Sequence, residues 1–121
     1  MTKKNNKTNP MLISLIQELK KQSSEKDVAI WKDIAVRLEK PSKNWAEVNL
    51  DRISRYINEK EIALIPGKVL SDGDLTKKVS IAAWSFSAKA EDKIKKAGGK
   101  IMTIEELVKA NPDGKNIRIL G

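Results

Sequence analysis

Histidine and cysteine are both absent from the chain. Their absence excludes thiol nucleophiles, thiolate zinc sites and the side chain that most often performs general acid and base chemistry near pH 7. No apolar run approaches the roughly 18 residues of a membrane-spanning helix, and the polar N-terminus lacks the apolar core of a secretory signal. We therefore expect a cytoplasmic protein that is not an enzyme, uses no cofactor, metal or small-molecule substrate, and does not enter a membrane.

Positive charge is the main compositional feature. Lysine and arginine number 24 against 16 aspartate and glutamate residues, which gives a formal charge of +8 over 121 residues. Such an excess in a chain of single-domain length favours a polyanionic partner. The alternative is a highly soluble surface rich in lysine, because only four of the basic residues are arginine.

The segment from Ile62 to Phe86 has the clearest strand pattern. Its apolar runs at 62–65 and 79–86 predict two buried strands. Pro66-Gly67 predicts a turn, which would leave Lys68 just behind that turn and Lys77-Lys78 just before the second strand. Helical patterns on both sides of the segment can cover the strands, so the sequence predicts a mixed α/β core and not a helical bundle.

The first eight residues are polar and basic after the initial methionine, with lysines at Lys3, Lys4 and Lys7. We expect a flexible basic tail there. Asn9 as the cap and Pro10 in the first turn predict a helix that fades beyond Lys20-Lys21. Its buried face is predicted to consist of Leu12, Leu15, Ile16 and Leu19.

A second helix is predicted to begin with Asp27 as its cap and to end before Pro41. Its apolar stripe consists of Trp31, Ile34, Ala35 and Leu38. We expect Trp31 to lie in the core, because a tryptophan on such a stripe is far more often a packing residue than a base-stacking one.

The loop Lys40–Trp45 combines two lysines, small polar donors and an aromatic ring. This mixture suits contacts to phosphates and bases. It equally suits an ordinary turn in which Trp45 folds back onto the core, and the sequence leaves both interpretations open.

Asn49 is expected to cap a third helix, whose inner face would consist of Leu50, Ile53 and Ile57. Arg52 and Arg55 then share the outer side of this helix, three residues apart. Asp51 and Glu59 are near enough to pair with them.

Ser87 is predicted to cap a helix that reaches about Ala97 and ends at Gly98-Gly99. A short strand over residues 100–102, a capping box from Thr103 to Glu106 and a turn over residues 111–114 follow it. Residues 117–120 predict a final strand. The lysines of the helix should lie mostly on its outer side; they are Lys89, Lys93, Lys95 and Lys96.

Five segments occur together and in order. They are NPMLISLIQELKK at 9–21, AEVNLDRISRY at 46–56, PGKVL at 66–70, VSIAAWSFSAKAEDKIKKAGG at 79–99 and TIEELV at 103–108. Together they resemble the archaeal and eukaryotic large-subunit ribosomal proteins called eighteen-e, over residues 9–121. Residues 62–99 are also more distantly similar to the bacterial fifteenth large-subunit ribosomal protein. The short chain without long basic extensions looks more like an archaeal member.

The resemblance implies a structural constituent of the large ribosomal subunit, with large-subunit ribosomal RNA and neighbouring ribosomal proteins as its partners and with no catalysis. It implies N-terminal helices followed by irregular β-β-α units packed as one domain, with residues 9–60 mainly helical and residues 61–121 forming the α/β core. The RNA-binding residues implied by position are Lys40, Lys43, Asn44, Arg52, Arg55, Lys68, Lys77, Lys78, Ser87 and Lys89, and the tail lysines Lys3, Lys4 and Lys7 are assigned to the same role. The 40–45 loop carries no arginine, so Lys43 offers phosphate only a point charge.

Two other function classes remain open from the sequence. A DNA-binding or chromatin-associated module would use the helices between Asn9 and Ile57 as a helix-turn-helix. A protein-interaction subunit would direct its basic face to an acidic partner.

Overall fold

Two neighbouring strands form the centre of the molecule, as their apolar runs predict. The structure is a computed structural model that describes residues 9–58 and 60–120. Its helices are α1 (Pro10–Lys26), α2 (Ala29–Glu39), α3 (Leu50–Tyr56), α4 (Ala88–Lys96) and α5 (Ile104–Ala110), and a short 3-10 helix spans Ser42–Asn44. Its strands are β1 (Ala46–Asn49), β2 (Ile62–Leu70), β3 (Ser80–Phe86), β4 (Lys100–Thr103) and β5 (Ile117–Ile119). The mixed α/β fold class is therefore confirmed.

The strand pairs that the structure describes are all parallel. On one side, β2 pairs with β3, which pairs in turn with β4. On its other side, β2 pairs with β5 along residues 62–64 and with β1 along residues 67–70. Because β1, β2 and β3 run in the same direction, they finish together at one end of the sheet, which we call the carboxyl end. Helices α3 and α4 begin there, directly after β1 and β3.

Helices cover both faces of the sheet. Leu64 and Ala82 face α1, α2 and α5, whereas the alternate residues Ala63, Ile65 and Ile81 face α3 and α4. This alternation follows from the two-residue period of a strand. The apolar residues predicted for the inner faces of the helices are all buried in one of these two layers.

The start of α1 is confirmed and its end is not. The Asn9 side chain accepts hydrogen bonds from backbone N–H groups of the first turn, as predicted for a cap. The helix nevertheless continues to Lys26, and the prediction that Asp27 caps the next helix is wrong. Asp27 closes α1 in the left-handed conformation, with a φ of 56° and its N–H bonded to the carbonyl oxygen of Ser23. Aspartate tolerates this conformation better than most residues do.

Trp31 lies in the core, as predicted. Its side chain is fully buried, and its Nε1 donates a hydrogen bond to the carbonyl oxygen of Pro112 at 2.8 Å. Pro112 belongs to the predicted 111–114 turn, which is closed by a bond from the Gly114 N–H to the Asn111 carbonyl. Trp31 therefore ties α2 to the loop that leads into β5.

The prediction that Pro66-Gly67 forms a turn is wrong. β2 runs through both residues to Leu70, with a register shift between Ile65 and Lys68. Such an irregularity accommodates a proline, which has no N–H for the ladder. Gly67 lies so close to the carbonyl oxygen of Ala46 in β1 that a Cβ atom would collide with it. Lys68 consequently lies within a strand.

The strand β1 is not predicted by the sequence. It occupies the stretch between the 40–45 loop and α3, and it pairs with the second half of β2. Asn49 precedes α3 but makes no side-chain cap. Its Oδ1 instead accepts a hydrogen bond from the Asp72 N–H at 3.2 Å, which holds the 71–79 crossover between β2 and β3 against the start of α3.

The predicted caps of the last two helices are confirmed. Ser87 Oγ accepts a hydrogen bond from the Ala90 N–H at 3.1 Å, and α4 ends just before Gly98, which has a φ of 80°. Thr103 and Glu106 form a reciprocal capping box, with distances of 3.1 and 2.8 Å.

Candidate nucleic-acid interface

Four of the residues expected to contact RNA lie at the carboxyl end of the sheet. Arg52 is in the first turn of α3, Lys89 is in the first turn of α4, Ser87 caps α4, and Lys68 lies in the last part of β2. The two helices follow the strands that flank β2 at this end. The Ser87 N–H also donates to the carbonyl oxygen of Val69 at 3.0 Å. We call Arg52, Lys68, Ser87 and Lys89 the carboxyl-end cluster.

Lys68 is exposed although its neighbours Gly67 and Val69 are buried. It is in register with Glu47 of β1 and Ser85 of β3, so these side chains leave the same face of the sheet. Among the described residues, no carboxylate forms an ion pair with Lys68. Its ammonium group is therefore available to a phosphate.

Lys89 and Arg52 are likewise exposed, and neither forms an ion pair within residues 9–58 and 60–120. Arg55 also lies outside, as predicted, but its Nη2 is 2.7 Å from Asp51 Oδ2. The side chains of Arg55 and Asp51 are 63% and 58% exposed, and such pairs contribute about 0–1 kcal/mol. Arg55 can thus exchange its carboxylate for a phosphate at small cost. Its other expected partner, Glu59, lies outside the described residues.

Ser87 already has a structural role as the cap of α4. In that role its hydroxyl oxygen accepts a hydrogen bond. A serine hydroxyl has a proton to donate as well, so Ser87 can serve as a donor to a phosphate or a ribose oxygen while it caps the helix.

Lys77 and Lys78 lie at the opposite end of the sheet, just before β3. The seven residues of β3 place this end about 20 Å from the carboxyl-end cluster. Lys77 is half-buried, and its Nζ donates to the Ile57 carbonyl oxygen at 3.0 Å. Lys78 is exposed, with its aliphatic stem beside Gly98. The structure therefore does not join these two lysines to the cluster.

The 40–45 loop adopts the folded-back arrangement that the sequence leaves open. Trp45 packs against the core, its Nε1 donates to the Lys40 carbonyl oxygen at 3.0 Å, and its ring meets Trp84 edge-on with centroids 6.0 Å apart. Lys40, Lys43 and Asn44 remain exposed. The loop can thus present cations and an amide, while its indole is largely committed to packing.

Lys93 has a structural role that the sequence does not reveal. It is predicted to lie outward with the other lysines of α4, but it is half-buried. Its Nζ donates to the carbonyl oxygens of Ser71 and Gly73, at 2.8 and 3.0 Å. It therefore fixes the crossover between β2 and β3, which reaches it only in the folded chain.

Arg118 is also committed to a partner. Its Nε lies 3.1 Å from both carboxylate oxygens of Glu61. This hydrogen bonding outweighs partial desolvation and, with the Asn58 backbone bond, holds the pKa of Glu61 below its usual value. The pair links the start of β2 to β5.

The tail lysines Lys3, Lys4 and Lys7 lie outside the described residues. Within residues 9–58 and 60–120, no group of three or more carboxylates is placed to hold a metal ion. In the same part of the chain, no helix has the length and hydrophobicity needed to cross a membrane.

Comparisons with known proteins match this chain to a single protein family over nearly its whole length. A family model described as "Ribosomal protein 60S L18 and 50S L18e" matches residues 1–121. The large ribosomal subunit protein eL18 of Methanothermobacter thermautotrophicus is 50% identical over 120 residues, which cover 99% of each chain. The protein of the same name from Methanoregula boonei is 51% identical, and the match covers 99% of each chain. The one from Archaeoglobus fulgidus is 46% identical, and the match covers 94% of this chain and 97% of the relative.

Proposed function

The chain belongs to the family of ribosomal proteins 60S L18 and 50S L18e, and we propose from this membership that it binds and stabilises folded ribosomal RNA as a structural constituent of the large subunit. The observation that carries the proposal is the match over nearly the full length of both this chain and its eL18 relatives. In this role the protein works in the cytoplasm beside neighbouring ribosomal proteins, and it needs no catalytic group.

The carboxyl-end cluster supplies the electrostatic part of the proposed contact. Lys68, Lys89 and Arg52 are exposed, and none of them forms an ion pair with a described carboxylate, so RNA phosphates need not displace an existing ion pair. Release of counterions from RNA then favours binding and makes the affinity depend steeply on salt. Arg52 adds a planar group that can hold a phosphate with two hydrogen bonds, which lysine cannot do.

Recognition of a particular site would come from the shape of the RNA. Folded RNA displays its 2′-hydroxyls and phosphates in a pattern set by its helices. The Ser87 hydroxyl and the Asn44 amide are polar groups suited to such contacts. Lys78, at the other end of the sheet, would meet a second RNA segment, so that one rigid domain neutralises phosphates where two RNA elements approach each other.

The proposal is tested by comparing the binding of the purified full-length chain to large-subunit ribosomal RNA and to duplex DNA at equal salt. We expect tighter binding to the RNA. Tighter binding to the duplex would contradict the proposal and favour a DNA-binding module.

A double variant, Lys68→Gln with Lys89→Gln, tests the cluster itself. It should lower the RNA affinity and reduce the slope of log affinity against log salt by about 1.4–1.8, as expected for two lost phosphate contacts. The matched control is Lys95→Gln with Lys96→Gln. It removes the same total charge as the test variant, but from two lysines of α4 that form ion pairs with Glu91 and Asp92. An equal loss in the control would show that binding follows net charge and not the cluster.

A further inference from the structure

A groove with an acidic rim runs between α1 and α5. Its deeper part is a cavity of about 500 Å³, lined among others by Met11, Leu15, Trp84 and Ile104. A second cavity of about 330 Å³ shares Leu15 and continues along the same two helices. The two cavities together form one channel, which we call the α1–α5 groove.

The floor of the α1–α5 groove is apolar. Leu15 and Ile104 belong to the core and reach the groove from below, and Trp84 is half-buried. Met11 is 75% exposed although it is one of the larger apolar side chains of α1. Methionine is flexible and polarizable, and exposed methionines commonly serve at adaptable binding surfaces. The floor can therefore accept an apolar side chain from another molecule.

The rim of the groove carries the opposite charge to the molecule as a whole. Glu18 and Glu105 lie along it with one cation, Lys109. Glu105 pairs with Lys109 at 3.1 Å, whereas Glu18 forms no ion pair within residues 9–58 and 60–120. The chain as a whole has a charge of +8. With Glu105 balanced by Lys109, the carboxylate of Glu18 gives the rim a net negative charge, which favours a cationic partner over a phosphate.

A smaller cavity beside the 40–45 loop provides a contrast. It has a volume of about 160 Å³, and its charged lining residues are Arg37 and Lys40. The fold thus separates a basic recess from the acidic, apolar groove.

We propose that the α1–α5 groove docks an extended, basic segment of a partner protein that carries one apolar anchor side chain. The anchor lies on Met11 and Trp84, and a lysine or arginine of the segment that continues along the second cavity reaches Glu18 and, in exchange for Lys109, Glu105. A central apolar anchor with charged groups at the rim is the usual arrangement of a peptide-docking site. The docking uses residues outside the carboxyl-end cluster and is independent of RNA binding.

The test uses a fluorescein-labelled heptapeptide with three lysine or arginine residues on each side of a central leucine. Its binding to the full-length chain is followed by fluorescence anisotropy, in the absence of RNA. Two matched peptides replace the leucine by serine or all the basic residues by glutamate. Net charge alone would make the protein repel the basic peptide and attract the acidic one. We expect the opposite order, with the leucine peptide also binding at least about fivefold more tightly than the serine peptide.

Variants of the protein locate the site. Glu18→Lys and Met11→Ser should each weaken binding of the basic leucine peptide by at least about fivefold. Glu25→Lys makes the same charge change further along α1, and Val36→Ser replaces an exposed apolar residue of α2. Neither control should alter the affinity. Failure of the basic peptide to bind, preference for the acidic peptide, or equal losses in the controls would overturn the proposal.

Two further outcomes would assign the groove to another occupant and so overturn the proposal. If the peptide binds only after residues 1–8 are removed, the N-terminal lysines of this chain occupy the groove. If the protein dimerises in sedimentation equilibrium and Met11→Ser abolishes the dimer, a second copy occupies it. Because the assays contain no RNA, failure here leaves the proposed RNA binding untouched.

Discussion

Lys68→Met and Lys93→Met remove the same charge from two lysines in different surroundings. Lys68 is exposed and has no carboxylate partner among the described residues, so its loss should change the free energy of unfolding by less than about 0.5 kcal/mol. It should weaken RNA binding about fivefold, or about 1 kcal/mol, and lower the salt slope by about 0.7–0.9.

Lys93→Met should show the reverse pattern. It removes two hydrogen bonds from a charged donor to the backbone of the β2–β3 crossover. Bonds of this kind contribute about 1.5–3 kcal/mol when well shielded. Because Lys93 is only half-buried, we expect a loss of about 2 kcal/mol in total, which corresponds to about 8 °C in Tm. RNA affinity of the folded protein should change little.

The assay pairs thermal unfolding with a salt titration of binding to large-subunit ribosomal RNA for both variants. Binding is measured well below the midpoint of Lys93→Met, so that both proteins are folded. A drop of several degrees in the Tm of Lys68→Met would place that side chain in the fold. Equal losses of RNA affinity in the two variants would refute the assignment of Lys68 to RNA contact and of Lys93 to the fold.

Three other substitutions test the fold. Trp31→Phe removes the donor to the Pro112 carbonyl and leaves a cavity, so the urea midpoint should fall by an amount equivalent to about 2 kcal/mol; a loss below about 0.5 kcal/mol would show that the bond is dispensable. Gly67→Ala should cost about 3 kcal/mol and speed hydrogen exchange across β1, because its Cβ meets the Ala46 backbone; a stability equal to the parent would contradict this close approach. Glu61→Gln should destabilise the protein at neutral pH. Because the folded-state pKa of this carboxyl lies below 4.5, its contribution is complete above that pH and declines as the pH falls through the folded value. Urea midpoints measured down the acid range should therefore converge, and a gap that stays constant would show that the ion pair does not titrate.

Local chemistry was sufficient to predict most of the helices. Asn9, Ser87 and the Thr103–Glu106 pair carry their capping function in the side chain itself, so the structure confirms them. Spacing of apolar residues likewise predicted the buried faces, because a helix can bury only one stripe. Asp27 was misassigned because the same residue type suits both a helix start and the left-handed end of the preceding helix.

Features that depend on distant pairing could not be predicted in this way. β1 is four residues long, and it forms because the second half of β2 provides the backbone groups with which it pairs. Pro66-Gly67 has the composition of a turn, but the register shift and the close contact with Ala46 keep it within a strand. Both outcomes depend on a neighbour some twenty residues away in sequence, as the Ala46 and Gly67 pairing shows.

The sequence supplies candidate residues for the interface but not their arrangement in the fold. Lys68, Lys77 and Lys93 are equivalent as sequence letters. Only the fold shows that Lys77 and Lys93 bind backbone carbonyls, while Lys68 is exposed and forms no ion pair with a described residue. Arg52 and Lys89 are 37 positions apart in sequence, and they share one end of the sheet because α3 and α4 begin after strands that flank β2.

Cosedimentation of the tagged full-length chain with ribosomal particles from its native cell extract, at low and at high salt, tests the central claim most directly. An integrated constituent should remain in the large-subunit peak at both salt concentrations, because many contacts and surrounding RNA hold it there. Release into the soluble fraction at modest salt would contradict that role and indicate a peripheral electrostatic binder of nucleic acid.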